Sequence, residues 1–227
     1  MSKKSRDVVI NELNEISQGT LQEKAKVLDN YWLTSFEKYG GQEITTFPDA
    51  IKAGEITLSN FSSNNSESVF PKLKAIWNEN VTKKTSSYLF VVDNKIAKIG
   101  GLKEGVKGNS FSQYLTGVSG SPSRRSCGGY TFLAAMLKNK HKVEIYHVTM
   151  DGVIDIETPT INGKRKKPMH FSPYDIEKSN IDEYKKTGDG TAPYLNLKER
   201  DATYPREFDV IYDIIHQRIQ KTKQYKA

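Results

Sequence analysis

The side chains with the most chemical potential lie in the middle third of the chain. Tyr88 and Lys98 stand ten residues apart, on either side of Asp93-Asn94-Lys95. If the flanking stretches pair through that turn, both side chains project from one face, backed by Gly100-Gly101. A phenol beside an ammonium is then a proton-transfer pair, because the positive charge favours the phenolate. Further on, Ser121-Pro122-Ser123-Arg124-Arg125-Ser126-Cys127-Gly128-Gly129 runs into a helical pattern at Tyr130. Backbone amides at a helix start, a hydroxyl at Ser126 and two guanidiniums suit a phosphate. The stretch lacks the Gly-Lys-Ser/Thr ending of a Walker loop. Cys127 in that position is a conceivable thiol nucleophile with His147 as its base. The four histidines, 141, 147, 170 and 216, show no metal-ligand spacing.

Phosphodiester hydrolysis commonly uses magnesium held by carboxylates. Glu207, at the head of an amphipathic segment, is the first choice for such an acid. Glu177 and Glu157 are the contenders, although Glu157-Thr158-Pro159 has no lysine two residues on.

The elements that must position these groups follow from periodicity. Tyr88 to Val92 and Ile96 to Ile99 have strand character around turn chemistry, so residues 86–92 and 95–100 read as a β-hairpin. Residues 100–129 hold eight of the sixteen glycines. A helix over Tyr130 to Lys140 and a strand over Val143 to Val148 follow. The expected fold is α+β: a small antiparallel sheet of about three strands within 86–150, flanked by helices. Helical spacing over residues 4–18 and a capping box at Thr20 and Glu23 predict a mostly helical N-terminal region. Pro48 suggests a short helix through Ile51, Ile56 to Leu58 a short strand, and Pro71 to Asn80 a helix. Gly152 to Ile156 suggests a strand, and Lys164-Arg165-Lys166-Lys167 a basic loop. Pro205 opens a closing helix with Phe208, Ile211, Ile214, Ile215 and Ile219 on one stripe. This divides the chain into 1–80, for recognition or dimerisation, a core over 81–150, and an elaboration over 151–227 ending in the helix 205–222.

Composition narrows the class. The 227 residues include one cysteine, which excludes an internal disulfide framework. No apolar run is long enough for a membrane span and no signal peptide is visible, so the expected location is the cytoplasm. The net charge of +7 is unevenly spread: residues 81–150 carry 11 Lys and Arg against 3 Asp and Glu, while the flanks are nearly balanced. Such focusing suits a polyanion, with nucleic acid the commonest. Lys103, Lys107, Tyr114, Ser126 and the cluster Lys164, Arg165, Lys166 and Lys167 are the expected nucleic-acid contacts.

In order, these residues resemble the GIY-YIG nuclease superfamily, in particular its branch whose second motif reads Lys-Ile-Gly. Ser86-Ser87-Tyr88 stands for the first motif and Lys98-Ile99-Gly100 for the second. Gln113 to Gly117 and Pro122-Ser123-Arg124-Arg125 fall where the family's Arg region lies, and Val143 to Val148 stands for the third strand. The match spans about 65 residues, without the Gly-Ile of the first motif and with the Arg 26 residues after Lys98.

The resemblance implies a magnesium-dependent, sequence-specific DNA endonuclease of restriction type. Tyr88, its pKa lowered by Lys98, would accept a proton from water. Arg124 or Arg125 would bind the scissile phosphate, and Glu207 would hold one Mg2+. Double-stranded DNA and a possible homodimer reading a palindrome are the implied partners. Two other readings stay open: a non-enzymatic nucleic-acid-binding module, and an enzyme on a small phosphorylated substrate that uses the helix entry at 126–129.

Overall fold

The structure is a computed structural model, and it describes residues 20–59, 70–79, 81, 86–102, 109–116, 123–149, 153–170 and 172–224. The expected helix over 4–18, Lys103 and Lys107 lie outside the described residues.

Five strands form one wholly antiparallel sheet: β1 (Ile51–Leu58), β2 (Leu73–Trp77), β3 (Ser86–Val92), β4 (Lys95–Leu102) and β5 (Val143–Thr149), in the order β2-β1-β5-β3-β4. The hairpin is as expected: β3 pairs with β4 across a turn in which Asp93 and Asn94 both have positive φ. On one face lie α1 (Thr20–Tyr39), α2 (Asn109–Thr116), α3 (Arg124–Lys138) and α5 (Arg206–Gln224). They bury Leu28, Trp32, Phe111, Phe132, Phe208 and Ile211 against Tyr88, Phe90 and Ile145. On the other face α4 (Pro173–Thr187) buries Ile181 and Tyr184 against Leu89, Val91, Ile96 and Ile99. With both faces covered, every residue of β3 is buried, and so its sequence is a continuous run of apolar and small residues.

The class is α+β, but several elements differ from the sequence expectation. The sheet has five strands rather than three, because β1 and β2 join it beside β5. Leu73 to Trp77 is a strand, not a helix. Its apolar positions at 73, 76 and 77 fit a helical spacing too, and pairing with β1 decides the outcome. Ile51 likewise begins β1 instead of ending a helix. The basic cluster is no loop: β6 (Val153–Thr160) and β7 (Gly163–His170) form a separate two-stranded antiparallel sheet, with Lys164 to Lys167 in β7. Residues 173–187 make one helix, capped by the Ser172 side chain with Pro173 at its first position.

Candidate active site

Register places Tyr88 and Lys98 on one face of the hairpin, at neighbouring rather than paired positions. Tyr88 lies opposite Gly100 and Phe90 opposite Lys98, with Ala97 as the extra residue of a bulge. Residues two apart share a face, so both side chains emerge on the α3 side of the sheet. A Cβ at Gly100 would strike the Tyr88 ring, and one at Gly101 would strike the Pro173 carbonyl. The two glycines therefore let a tyrosine close over one face of β4 while the start of α4 closes over the other.

Lys98 is 3% exposed, and its Nζ has only the Leu195 carbonyl nearby, at 3.5 Å. Burial and the Arg125 guanidinium disfavour its charge, Glu177 opposes them, and the pKa settles at about 7. Arg125, in the first turn of α3, reaches around the edge of the sheet. Its Nη2 donates to Glu177 Oε1 at 3.0 Å, and the Gly101 amide donates to Glu177 Oε2 at 2.8 Å. Arg125 also faces the Tyr88 and Tyr114 phenols and is half-exposed, whereas Glu177 is buried. Arg125 and Glu177 thus meet at the Gly101 end of β4, within electrostatic reach of both Lys98 and Tyr88.

Other expected residues are placed elsewhere. Arg124 pairs with Asp209 and lies over the Tyr204, Phe208 and Tyr212 rings. Glu207 lines a cleft between α1 and α5 with Glu23, Lys24 and Val27, and Glu157 pairs with Lys164 on β6–β7. Of the three carboxylates weighed for a metal, Glu177 is the one that joins Lys98 and Arg125. Ser126 is buried in the helix cap, bonded to Ser123 and Gln113. The helix-entry phosphate site is filled by the protein itself, since Tyr204 packs on Gly128 and Tyr114 on Gly129. Tyr114 is buried there, not displayed for stacking. Cys127 is inside the core, and burial pushes its thiol up to about 12, which removes it as a nucleophile. Lys164 and Arg165 are exposed on β7, and Lys166 and Lys167 follow in the same strand.

The phenol of Tyr88 is not depressed by Lys98. Burial among Phe90, Phe111 and Tyr114 drives its pKa well above the ordinary value. The Tyr114 phenol adds to this, and Arg125 only partly offsets it. Its hydroxyl is buried beside the Tyr114 phenol without a well-formed hydrogen bond, and Ser86 Oγ and His147 Nδ1 are buried without one too. Tyr88 pairs with His147, and Ser86 is two residues from Tyr88, so all three orphans occupy one end of one sheet face. Burial lowers the His147 pKa, which keeps the ring neutral.

Sequence reasoning missed Asn196, named Ser86 only as part of the first motif, and named His147 only as a base for Cys127. Asn196 clamps the open edge of β4: its Oδ1 accepts from the Ile99 amide and its Nδ2 donates to the Ile99 carbonyl, both at 2.9 Å. The Leu195 amide donates to the Ala97 carbonyl at 2.8 Å, so residues 195–196 stand in for a sixth strand beside Lys98. The Pro193-Tyr194-Leu195-Asn196 stretch carries no motif, and only the unpaired edge next to Lys-Ile-Gly hinted that something must cover it.

No group of three or more His, Cys, Asp or Glu side chains capable of holding a metal occurs among the described residues. Glu177 is a single carboxylate whose oxygens already accept from Arg125 and the Gly101 amide, so a Mg2+ there would depend on its own waters and on substrate phosphate for most of its ligands.

No family model matches the chain, and no curated protein matches it either. Among solved structures, a variant of bacteriophage T4 EndoII superposes with a TM-score of 0.41 at 17% identity, covering 67% of this chain and 95% of that one. The restriction endonuclease HPY188I in complex with product DNA superposes with a TM-score of 0.38 at 14% identity, covering 83% and 93%. At this level of similarity neither superposition carries an argument for function. No helix among the described residues is long and apolar enough to cross a membrane.

Proposed function

We propose that the chain is a metal-dependent endonuclease that hydrolyses phosphodiester bonds in double-stranded DNA. The observation that supports this reading is the Arg125–Glu177 pair at Gly101, within electrostatic reach of the buried Lys98 and Tyr88. Arg125 presents its half-exposed fork to the scissile phosphate and offsets the charge that grows on it. Above pH 7 Lys98 is mostly the free amine, a suitable acceptor for the proton of the attacking water. As that water's oxygen bonds to phosphorus, the bond to the leaving sugar oxygen breaks and that oxygen takes up a proton. Tyr88, too basic to ionise readily, acts through its buried hydroxyl as a hydrogen-bonding group for water or phosphate oxygen. Glu177 is the residue that would hold Mg2+, which when bound supplies charge neutralisation at the phosphate. The basic middle segment and β7 supply the contacts to the duplex. A dimer reading a palindrome, within a cytoplasmic restriction function, belongs to the same proposal.

The test is digestion of plasmid and phage DNA with magnesium by the wild type, Lys98→Ala and Glu177→Gln. Discrete fragments from the wild type, absent with both variants, are the expected result. The wild-type rate should rise with pH through about 7 as Lys98 loses its proton. Binding without cleavage in any divalent metal would refute the nuclease reading in favour of a non-enzymatic binding module.

A further inference from the structure

The first turn of α4 brings more than Glu177 to the proposed site. Ser172 caps the helix, its Oγ accepting from the Tyr174 amide at 3.2 Å, and the Pro173 carbonyl closes on Gly101 of β4. Tyr174 therefore belongs to backbone held against the same glycine whose amide donates to Glu177. Residues three apart on a helix are neighbours, with about 5 to 6 Å between Cβ atoms, so the Tyr174 ring starts within one turn of the carboxylate that Arg125 holds. Glu177 is buried, yet Tyr174 is 70% exposed. Tyr88, Tyr114, Tyr130, Tyr184 and Tyr194, by contrast, are all buried in the two cores. The other large apolar side chains left in solvent among the described residues stand on α1, β1, β2 and the turn between β6 and β7. Tyr174 is thus the exposed ring that shares a helical turn with the Glu177 carboxylate.

We infer that Tyr174 is a substrate-positioning residue: the flat face of its ring packs on the sugar and base of the nucleotide next to the scissile phosphate. A phosphodiester held by the half-exposed Arg125 brings its neighbouring nucleosides with it. Successive nucleotides follow about 3.4 Å apart along one strand, so one that adjoins the scissile phosphate comes within reach of a ring one turn from Glu177. The surroundings favour a nucleotide over a protein. Asp175 and Lys178 are exposed charges near the ring, so it stands alone and not in an apolar patch of the size that marks a protein interface. A lone aromatic face beside a guanidinium is what a nucleotide uses, since every base offers a face to stack on and its phosphate a charge. The inference rests on duplex DNA being the substrate of the proposed nuclease, and it adds the contact that seats the nucleotide.

The test compares Tyr174→Ser, Tyr174→Phe and Tyr174→Trp with the wild type. Affinity for a 30-base-pair duplex is read by fluorescence anisotropy in EDTA, so that no cleavage occurs, and KM and kcat are read with magnesium. Tyr174→Ser should weaken binding about ten-fold, within the range for one ring under one nucleotide, and should raise KM more than it lowers kcat. The urea midpoint should stay in place, because the ring is in solvent. Phenylalanine and tryptophan should restore binding and KM. Undiminished affinity in the serine variant would overturn the inference. So would a loss that phenylalanine fails to repair, which would assign the effect to the hydroxyl, or a change of oligomeric state with DNA affinity intact, which would make the ring a contact between proteins. A wild type that binds the duplex without cutting it counts against the nuclease reading alone, since the affinities still decide the role of Tyr174. A wild type that does not bind the duplex would overturn both.

Discussion

Lys98→Met should make the protein more stable and inactive at once. In the unfolded chain Lys98 titrates near 10.5; in the folded protein it titrates at about 7, because burial and Arg125 disfavour the ammonium. A depressed lysine pKa means that the unfolded state holds the proton more tightly, so folding is penalised wherever that proton is present. The penalty is complete below pH 7, where both states are protonated. It shrinks as pH rises from 7 to 10.5 and vanishes above that. Three and a half pKa units correspond to about 5 kcal/mol at low pH, falling to about 3 at pH 8 and about 1 at pH 10.

Methionine keeps the unbranched apolar stem and removes the charge, at the small cost of a long hydrogen bond to the Leu195 carbonyl. Urea titrations of wild type and Lys98→Met from pH 6 to pH 10 should show the variant ahead by several kcal/mol at pH 6, with the curves converging as pH rises. In thermal melts the gain at pH 6 is about 10 to 15 °C for a chain of this size. A gap that does not change with pH, or a less stable variant, would refute the claim that a desolvated amine sits at this position. Cleavage should be lost at every pH.

The other expectations concern the partners of Lys98. Tyr88→Phe removes a buried hydroxyl without a well-formed hydrogen bond and should raise stability by roughly 1 kcal/mol in chemical denaturation, while slowing cleavage. Arg125→Ala should lower the cleavage rate at least 100-fold, measured on a linear duplex. Arg124→Ala, which removes a half-exposed pair with Asp209 and its contacts over the Tyr204, Phe208 and Tyr212 rings, should leave the rate unchanged and cost about 1 kcal/mol of stability by urea titration. Asn196→Ala exposes both polar groups of Ile99 at the β4 edge and should cost about 2 to 4 kcal/mol by urea titration.

Part of this site was legible in the sequence because it is local. The β3–β4 hairpin needs only strand-forming residues around a turn, and that alone put Tyr88 and Lys98 on one face. The carboxylate was not legible in the same way. Glu177 is 76 residues from Gly101, on a helix whose turns alternate polar and apolar residues without a clean stripe, whereas Glu207 heads a strongly amphipathic helix. Periodicity marks which helix packs well. It does not mark which carboxylate a sheet edge receives. Glycine spacing misled for a related reason. Gly128 and Gly129 look like a phosphate cradle beside two arginines, but Tyr204 and Tyr114, distant in sequence, fill the space they leave. Gly100 and Gly101 follow the same rule and admit Tyr88 and Pro173.

The distribution of unfavourable terms argues for where the chemistry is. Beneath α4 the sheet face is apolar: Leu89, Val91, Ile96 and Ile99 meet Ile181 and Tyr184. The opposite face is equally apolar over most of its area, yet it carries a desolvated lysine and buried polar atoms without well-formed hydrogen bonds on Ser86, Tyr88 and His147, besides a fourth on Trp32 of the helix packed above it. Each such group costs on the order of 1 kcal/mol or more. A sequence that accepts these costs together, within reach of a half-exposed guanidinium and a carboxylate, conflicts with its own fold at one place. That conflict resolves if an oxygen-rich, negatively charged group from outside supplies the missing partners. A phosphodiester and its attacking water would do so, giving the orphaned hydroxyls acceptors and the guanidinium a second anion.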